Sequence, residues 1–310
     1  MSDWTTDTDP ALLRIVATTA CVPDLDAAEA AYTGVLGYRV VERGPVDAGL
    51  ASQWGAPATA GARCVTMQSD GDADTFVRLV EAPAVTGYRP LTSFGWTAFE
   101  IIVDDVHALA ERLADSPFTV IGAPRPLQFM PSIIAMQAIG PGGECLYFTM
   151  ESGDRDTSIL PPPGGFVGRT FIVVCAGPDF TAMLRWYVDR FALRERPVRQ
   201  SKVEIIQHAQ GLAADHVIEL SAIGMRQRGN LLELDGYPTG PGRIADVRPA
   251  HPGMLPPGNA IVTLEVADLS LVADLPGAAP AARDEAVYRG RAARTVIGPA
   301  GERIELIAAR

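Results

Sequence analysis

Arg78, Tyr147, Glu233 and Glu305 occupy matched points of a chain that is written twice, and all four are residue types that hold or move protons and charge. Residues 75–83 (TFVRLVEAP) align with 230–238 (NLLELDGYP) at an offset of 155, which sets Arg78 against Glu233. Residues 139–148 (IGPGGECLYF) align with 297–306 (IGPAGERIEL) at an offset of 158, which sets Tyr147 against Glu305. A guanidinium offers five donors to a carboxylate, phenolate or enolate oxygen, and a phenol can donate to the same group or shuttle its proton. A glutamate in an apolar site is pushed toward neutral pH, where a general acid or base works best.

Histidine is scarce in this sequence, with four in 310 residues. His208, in IIQHAQGL, falls in a short segment between strands that would form a cavity lip, and His216 opens the strand HVIEL. Either has the intrinsic pKa of a base near neutral pH. His107 reads as part of a solvated helix face, and His251 lies in the proline-rich RPAHPGMLPPG loop. Trp54 in QWGAP and Trp96 in SFGW are candidates to stack on a planar ligand. The cysteines, Cys21, Cys64, Cys145 and Cys175, lack CxxC spacing and fall in apolar strand-like segments, so they read as buried free thiols.

The elements that must position these groups recur four times. An apolar strand at 15–22 is followed by Pro23-Asp24, a helix through Leu36 and a Gly37 stop, then strands at 38–41, 63–68 and 75–80. The second unit repeats this β-α-β-β-β order from 97–103 with Asp104-Asp105 opening its helix. The third begins at 169–176 with Asp179, and the fourth at 261–266 with Asp268. An aspartate at each helix start accepts backbone N–H groups and complements the helix dipole. Residues 151–165 (ESGDRDTSILPPPGG) are polar and then proline-rich, as in an exposed, fairly stiff linker. The expected layout is an N-terminal domain over 1–152 (modules about 12–81 and 94–150), a linker over 153–166, and a C-terminal domain over 167–310 (modules about 168–237 and 258–308).

Composition narrows the function classes. A net charge of −11 gives no electrostatic footprint for nucleic acid or an anionic membrane. The acidic start MSDWTTDTDP lacks the layout of a secretory signal, and no apolar run approaches a membrane span, so a cytoplasmic protein is expected, as monomer or homodimer.

Residues 22–44 (VPDLDAAEAAYTGVLGYRVVERG), 98–113 (AFEIIVDDVHALAERL) and the closing strands GPGGECLYF and GPAGERIEL resemble the vicinal oxygen chelate superfamily, which includes glyoxalase I, extradiol dioxygenases, methylmalonyl-CoA epimerase and bleomycin-resistance proteins. The resemblance implies an α+β fold in which four βαβββ modules pair into two open, cup-shaped mixed β-barrels with helices outside. It also implies a metal held by a first-strand histidine and a last-strand carboxylate. The first-strand positions, seven residues before each helix-opening aspartate, carry Ala17, Ala98, Ile172 and Ile261, none of which can ligate an ion. The last-strand positions are Arg78, Tyr147, Glu233 and Glu305, and a permanent cation at 78 repels a divalent ion.

On that geometry Arg78 and Tyr147 look into an N-terminal cup and Glu233 and Glu305 converge in a C-terminal one. No cofactor is expected, apart from a weakly held Mg²⁺ or other divalent ion at Glu233/Glu305. Glu233, Glu305, Tyr147 and His208 are the expected catalytic groups, and Arg78, Trp54, Trp96 and His216 the expected substrate contacts. The leading reading is a metal-independent enzyme that isomerises, eliminates from or opens a small carbonyl, enol, phenolic or lactone compound, planar or aromatic, by proton transfer. Two alternatives stand beside it: a sequestering protein of the bleomycin-resistance kind, and a glyoxalase- or dioxygenase-like enzyme with an atypical metal site.

Overall fold

The computed structural model describes residues 9–72 and 74–310. The first module runs β1 (Leu12–Val22), α1 (Leu25–Gly34), β2 (Arg39–Pro45), α2 (Ala48–Gln53), β3 (Arg63–Gln68) and β4 (Phe76–Glu81). The second runs β5 (Gly95–Val103), α3 (Val106–Ala114), β6 (Thr119–Leu127), β7 (Met130–Ile139) and β8 (Cys145–Glu151). The third contains β9 (Val167–Gly177), α4 (Phe180–Phe191), β10 (Arg199–Ser201), α5 (Glu204–Gln210), β11 (Ile218–Gly224) and β12 (Leu231–Gly236). The fourth contains β13 (Gly258–Val266), β14 (Ala281–Ala282), β15 (Ala292–Ile297) and β16 (Arg303–Ala308).

Asp24, Asp105 and Asp179 cap α1, α3 and α4, each accepting from backbone N–H groups that the first helical turn cannot satisfy. Asp268 also caps, accepting from Ser270 N at 2.8 Å, but only a 3₁₀ turn over Leu269–Val272 follows it. The expected fourth helix is missing because Pro276 comes too soon: its ring disfavours helical geometry at Leu275 and cannot continue the ladder. Conversely, α2 and α5 fill the second-to-third-strand connections of modules one and three, where no helix was expected.

Among the described residues, sixteen strands form two curled, mixed sheets, ordered β14-β15-β16-β13-β1-β4-β3-β2 and β10-β11-β12-β9-β5-β8-β7-β6. The joins are antiparallel, β1 to β13 with Thr18 opposite Val262 and β5 to β9 with Phe99 opposite Val173. The first module therefore shares a sheet with the fourth, and the second with the third. This departs from the expected pairing within each half of the chain. The modules carry similar edges, so strand patterning does not choose the partner.

Strand alternation divides each sheet into a core face and a cup face. Leu79, Phe99, Phe148, Val173, Leu234, Val262 and Leu306 point with α1, α3 and α4 into one shared core, while the intervening residues line two separate cups. Burying Leu, Val and Phe there contributes about 1.5–3 kcal/mol per side chain. Two matched clasps tie the modules of each half across this core. Tyr32 of α1 donates to Glu144 Oε1 at 2.9 Å, and Tyr187 of α4 donates to Glu302 Oε1 at 2.5 Å. Both glutamates sit in the repeated G-P-x-G-E turn and also accept from Gly142 N and Ala300 N, at 2.8 Å each. No helix among the described residues is long and apolar enough to cross a membrane.

Candidate functional site

The first cup, built on β1, β4, β13 and β16, is closed around an ion pair. Arg78 of β4 is 3% exposed and Glu305 of β16 is fully buried, and the Arg78 Nη2 to Glu305 Oε2 distance is 3.1 Å. Arg78 Nε donates to Thr19 Oγ1 and Nη1 to the Tyr288 hydroxyl, both at 2.9 Å. Glu305 accepts further from Trp54 Nε1 (2.7 Å), Tyr288 OH (2.7 Å) and Thr263 Oγ1 (2.6 Å). The guanidinium carbon lies 4.5 Å from the Trp54 ring centroid, a cation–π contact in a dry setting. Burial works against the Arg78 charge, but the neighbouring Tyr288 and Glu305 outweigh it and hold the group above its ordinary pKa.

Two lids close this cup. Trp54 is the residue that ends α2, and Tyr288 is delivered by the 283–291 segment between β14 and β15. Arg283 locks the two lids together, donating to Asp47 and Gln53 at 2.9 Å each.

The second cup, on β5, β8, β9 and β12, carries acids without a cation among them. Glu233 and Asp235 share one face of β12, and Glu100 of β5 lies directly opposite Tyr147 of β8. Around them Ala98, Val174 and Tyr237, with Ile205 and Ile206 of α5, form an apolar lining. Glu100 receives the Thr149 hydroxyl, whereas Asp235 Oδ1 is buried with no hydrogen-bond partner. Burial, then the nearby Glu233 charge, pushes Glu100 up to about 8. Burial lifts Glu233 to about 7 and, with Glu233 beside it, lifts Asp235 well above the ordinary carboxylate range. The linked Glu233–Asp235 pair thus retains a proton near neutral pH. The phenol of Tyr147 is likewise held protonated, first by burial.

The lids of this cup differ from those of the first. The residue that ends α5 is Gly211, where the first cup has Trp54. In place of an inserted segment, β6 and β7 continue as a hairpin whose tip bears Phe129, 57% exposed, beneath Arg199 at 4.9 Å.

The structure thus regroups the expected residues. Arg78, Trp54 and Glu305 come together in the first cup, with all three side chains engaged by one another or by neighbours. Tyr147 and Glu233 come together in the second, and Glu305 does not face Glu233. An ion shared by Glu233 and Glu305 is therefore ruled out by their separate sheets. His208 is exposed on α5 because Ile205, Ile206, Gln207 and Gln210 take the inward face, and His216 lies half-exposed before β11, outside the acid cluster. Trp96 is buried in the shared core and donates to the Arg303 carbonyl at 2.7 Å, so it bridges the sheets and offers no stacking platform. The cysteines are unpaired, and burial raises their thiols, Cys64 to about 11 and Cys21 to about 12.

Glu100 and Asp235 escaped the sequence reading although alternation from Ala98 and Glu233 marks both as cup-facing. Tyr288 has no such signal, since it sits in a connection without a repeat counterpart.

The donor sets do not fit a resident divalent ion. In the first cup both Glu305 oxygens are committed and a guanidinium lies against them; across the described residues no three His, Cys, Asp or Glu side chains group so as to hold a metal.

Residues 14–129 match the family model described as Glyoxalase/Bleomycin resistance protein/Dioxygenase superfamily. No curated protein matches the chain. Among solved structures, glyoxalase I from Zea mays aligns with a TM-score of 0.61 and 17% identity, over 95% of this chain and 92% of that one. A candidate dioxygenase from Bacillus subtilis subsp. subtilis str. 168 aligns with a TM-score of 0.60 and 15% identity, over 96% of this chain and 86% of that one. At such identities the likeness concerns fold and leaves activity open. With four repeated modules and two curled sheets, the chain has the fold of these glyoxalase- and dioxygenase-like structures, and its residues 14–129 match the superfamily model in sequence as well.

Proposed function

We propose that the second cup is the working site and that it catalyses a metal-independent proton transfer next to the carbonyl of a small substrate, an isomerase- or lyase-type reaction. The observation that carries this reading is the acid cluster Glu100, Glu233 and Asp235 beside Tyr147, with protonation poised near neutral pH in an apolar lining. Glu233, half-buried and free of hydrogen bonds among the described residues, takes the proton from carbon as general base. Asp235, kept neutral, and Tyr147 donate hydrogen bonds to the oxygen on which negative charge develops. A carboxylate base with a neutral acid and a phenol as oxyanion donors is sufficient for such chemistry without an ion.

Incubation of the protein with a panel of enolisable carbonyl compounds in D₂O tests this directly. Deuterium enters the α-carbon of the accepted compound, and Glu233→Gln slows the exchange by about 10²–10⁴-fold, the usual worth of a positioned base. Saturable binding of a compound that neither exchanges nor changes would convert the assignment to a sequestering protein.

A further inference from the structure

At the β11–β12 hairpin turn, beyond the strands that carry Ala222 and Glu233, a cavity of about 90 Å³ is walled by Arg194, Gly224, Met225, Arg228, Asn230 and Leu231, and no acidic side chain lines it. Arg194 follows α4 and forms a β-bridge with Gly224, the last residue of β11. A Cβ added at Gly224 would lie 3.8 Å from the Arg194 Cβ, so both point to the same side of the sheet. That side is the cup face, because Gly224 pairs with Leu231 and Ala222 with Glu233. Arg194 Nε is buried with no acceptor, and no carboxylate pairs with its guanidinium among the described residues. In a chain of net charge −11, a buried guanidinium donor without an acceptor is anomalous, since most of the other arginines find one.

We infer that this cavity is an oxyanion subsite, with Arg194 as the principal donor and Arg228 supporting, that holds a carboxylate or phosphate group of the substrate. The subsite rests on the reading of the second cup as the working site for its link to catalysis, while its ability to bind an oxyanion stands on Arg194 alone. Leu231 and Glu233 are one alternation apart on the same strand face, a separation of about 6–7 Å. Arg194 reaches this edge across β11, so a substrate anchored there by its anionic group extends along the same sheet face toward Glu233. The acids stay at the cup floor and the anion at its edge, which resolves how an acidic cup can accept an anionic compound. The inferred substrate class is a small oxo compound bearing a carboxylate or a phosphate.

Inorganic phosphate and acetate, each against sodium chloride at matched ionic strength, are titrated into the full chain by calorimetry and thermal shift. One of the two saturates in the wild type, and which one names the anionic group. Arg194→Gln weakens it at least tenfold, Arg194→Lys retains part of the affinity, and Glu233→Gln does not weaken it. The Arg194 side chain holds no internal hydrogen bond that the variant would remove, so both variants should fold. If neither anion exceeds chloride, or Arg194→Gln binds as tightly as wild type, the subsite is overturned. Oxyanion binding without any deuterium exchange would refute the proton-transfer reading and leave the subsite standing; exchange without oxyanion binding would do the reverse.

Discussion

The two cups share one architecture and inherit one carboxylate each, yet only the first is internally neutralised. There a guanidinium, a phenol, an indole and a threonine hydroxyl surround Glu305, and the residues that cover it, Trp54 and Tyr288, are also its donors. In the second, Gly211 ends the lid helix and the β6–β7 hairpin stays extended, and among the described residues Glu233 meets neither a cation nor a hydrogen-bond donor. A cup that satisfies its own charge becomes core, and a cup that does not keeps an energetic deficit a ligand can relieve. The substitution of Arg78 in one copy for Glu233 in the other is the root of the difference.

The sharpest way to break the comparison is to remove the cation from the closed cup. Arg78→Met leaves Glu305 buried without its counter-charge and should lower unfolding free energy by about 3–5 kcal/mol in urea titration, with Glu305→Gln added in the same chain restoring part of the loss. If Arg78→Met were instead silent in stability, the first cup would not be a structural ion pair.

The protonation asymmetry predicts a pH dependence. Glu100, raised to about 8, and Glu144, Glu233 and Glu302, each raised to about 7, hold protons more tightly folded than at their ordinary value of 4.5. Between about pH 5 and 8 the folded chain therefore binds more protons than the unfolded one, so stability falls by a few kcal/mol as pH climbs through that window. Chemical denaturation at pH 5.5, 7 and 8.5 measures it, and Glu100→Gln should flatten the decline; a stability that rises with pH would show that these acids are charged in the fold.

Smaller effects sharpen the contrast. Trp54→Phe keeps most of the lid but withdraws one donor from Glu305, which should cost about 1–3 kcal/mol by thermal denaturation. His208→Ala, on the outward face of the other lid, should leave both stability and isotope exchange within about 0.5 kcal/mol of wild type. A larger loss of exchange in His208→Ala would bring that lid face into the mechanism.

Much of the fold was legible in the residues. Aspartate caps, alternating strands and the G-P-x-G-E turns marked four modules, because these signals act over a few neighbouring positions. The same locality explains the misses. Pro276 cut the fourth helix to one turn, and α2 and α5 are short pieces held by packing over the cups. Of the site, the family resemblance placed Arg78, Tyr147, Glu233 and Glu305 at cup-facing last-strand positions, but it grouped them by chain half. It also left Glu100 and Asp235 unremarked, and gave no sign of Tyr288.

By itself, the sequence determined that this protein repeats one α+β module four times, that its first-strand positions lack metal-ligating side chains, and which strand positions bear ionisable groups. Only the tertiary structure decided that the first module pairs with the fourth and the second with the third, and so that Arg78 meets Glu305 while Glu233 meets Tyr147, Glu100 and Asp235. The physical reason is that strand pattern and capping are properties of adjacent residues, whereas the partner of a sheet edge is set by contacts more than sixty residues apart in sequence between modules too alike for their patterns to tell apart.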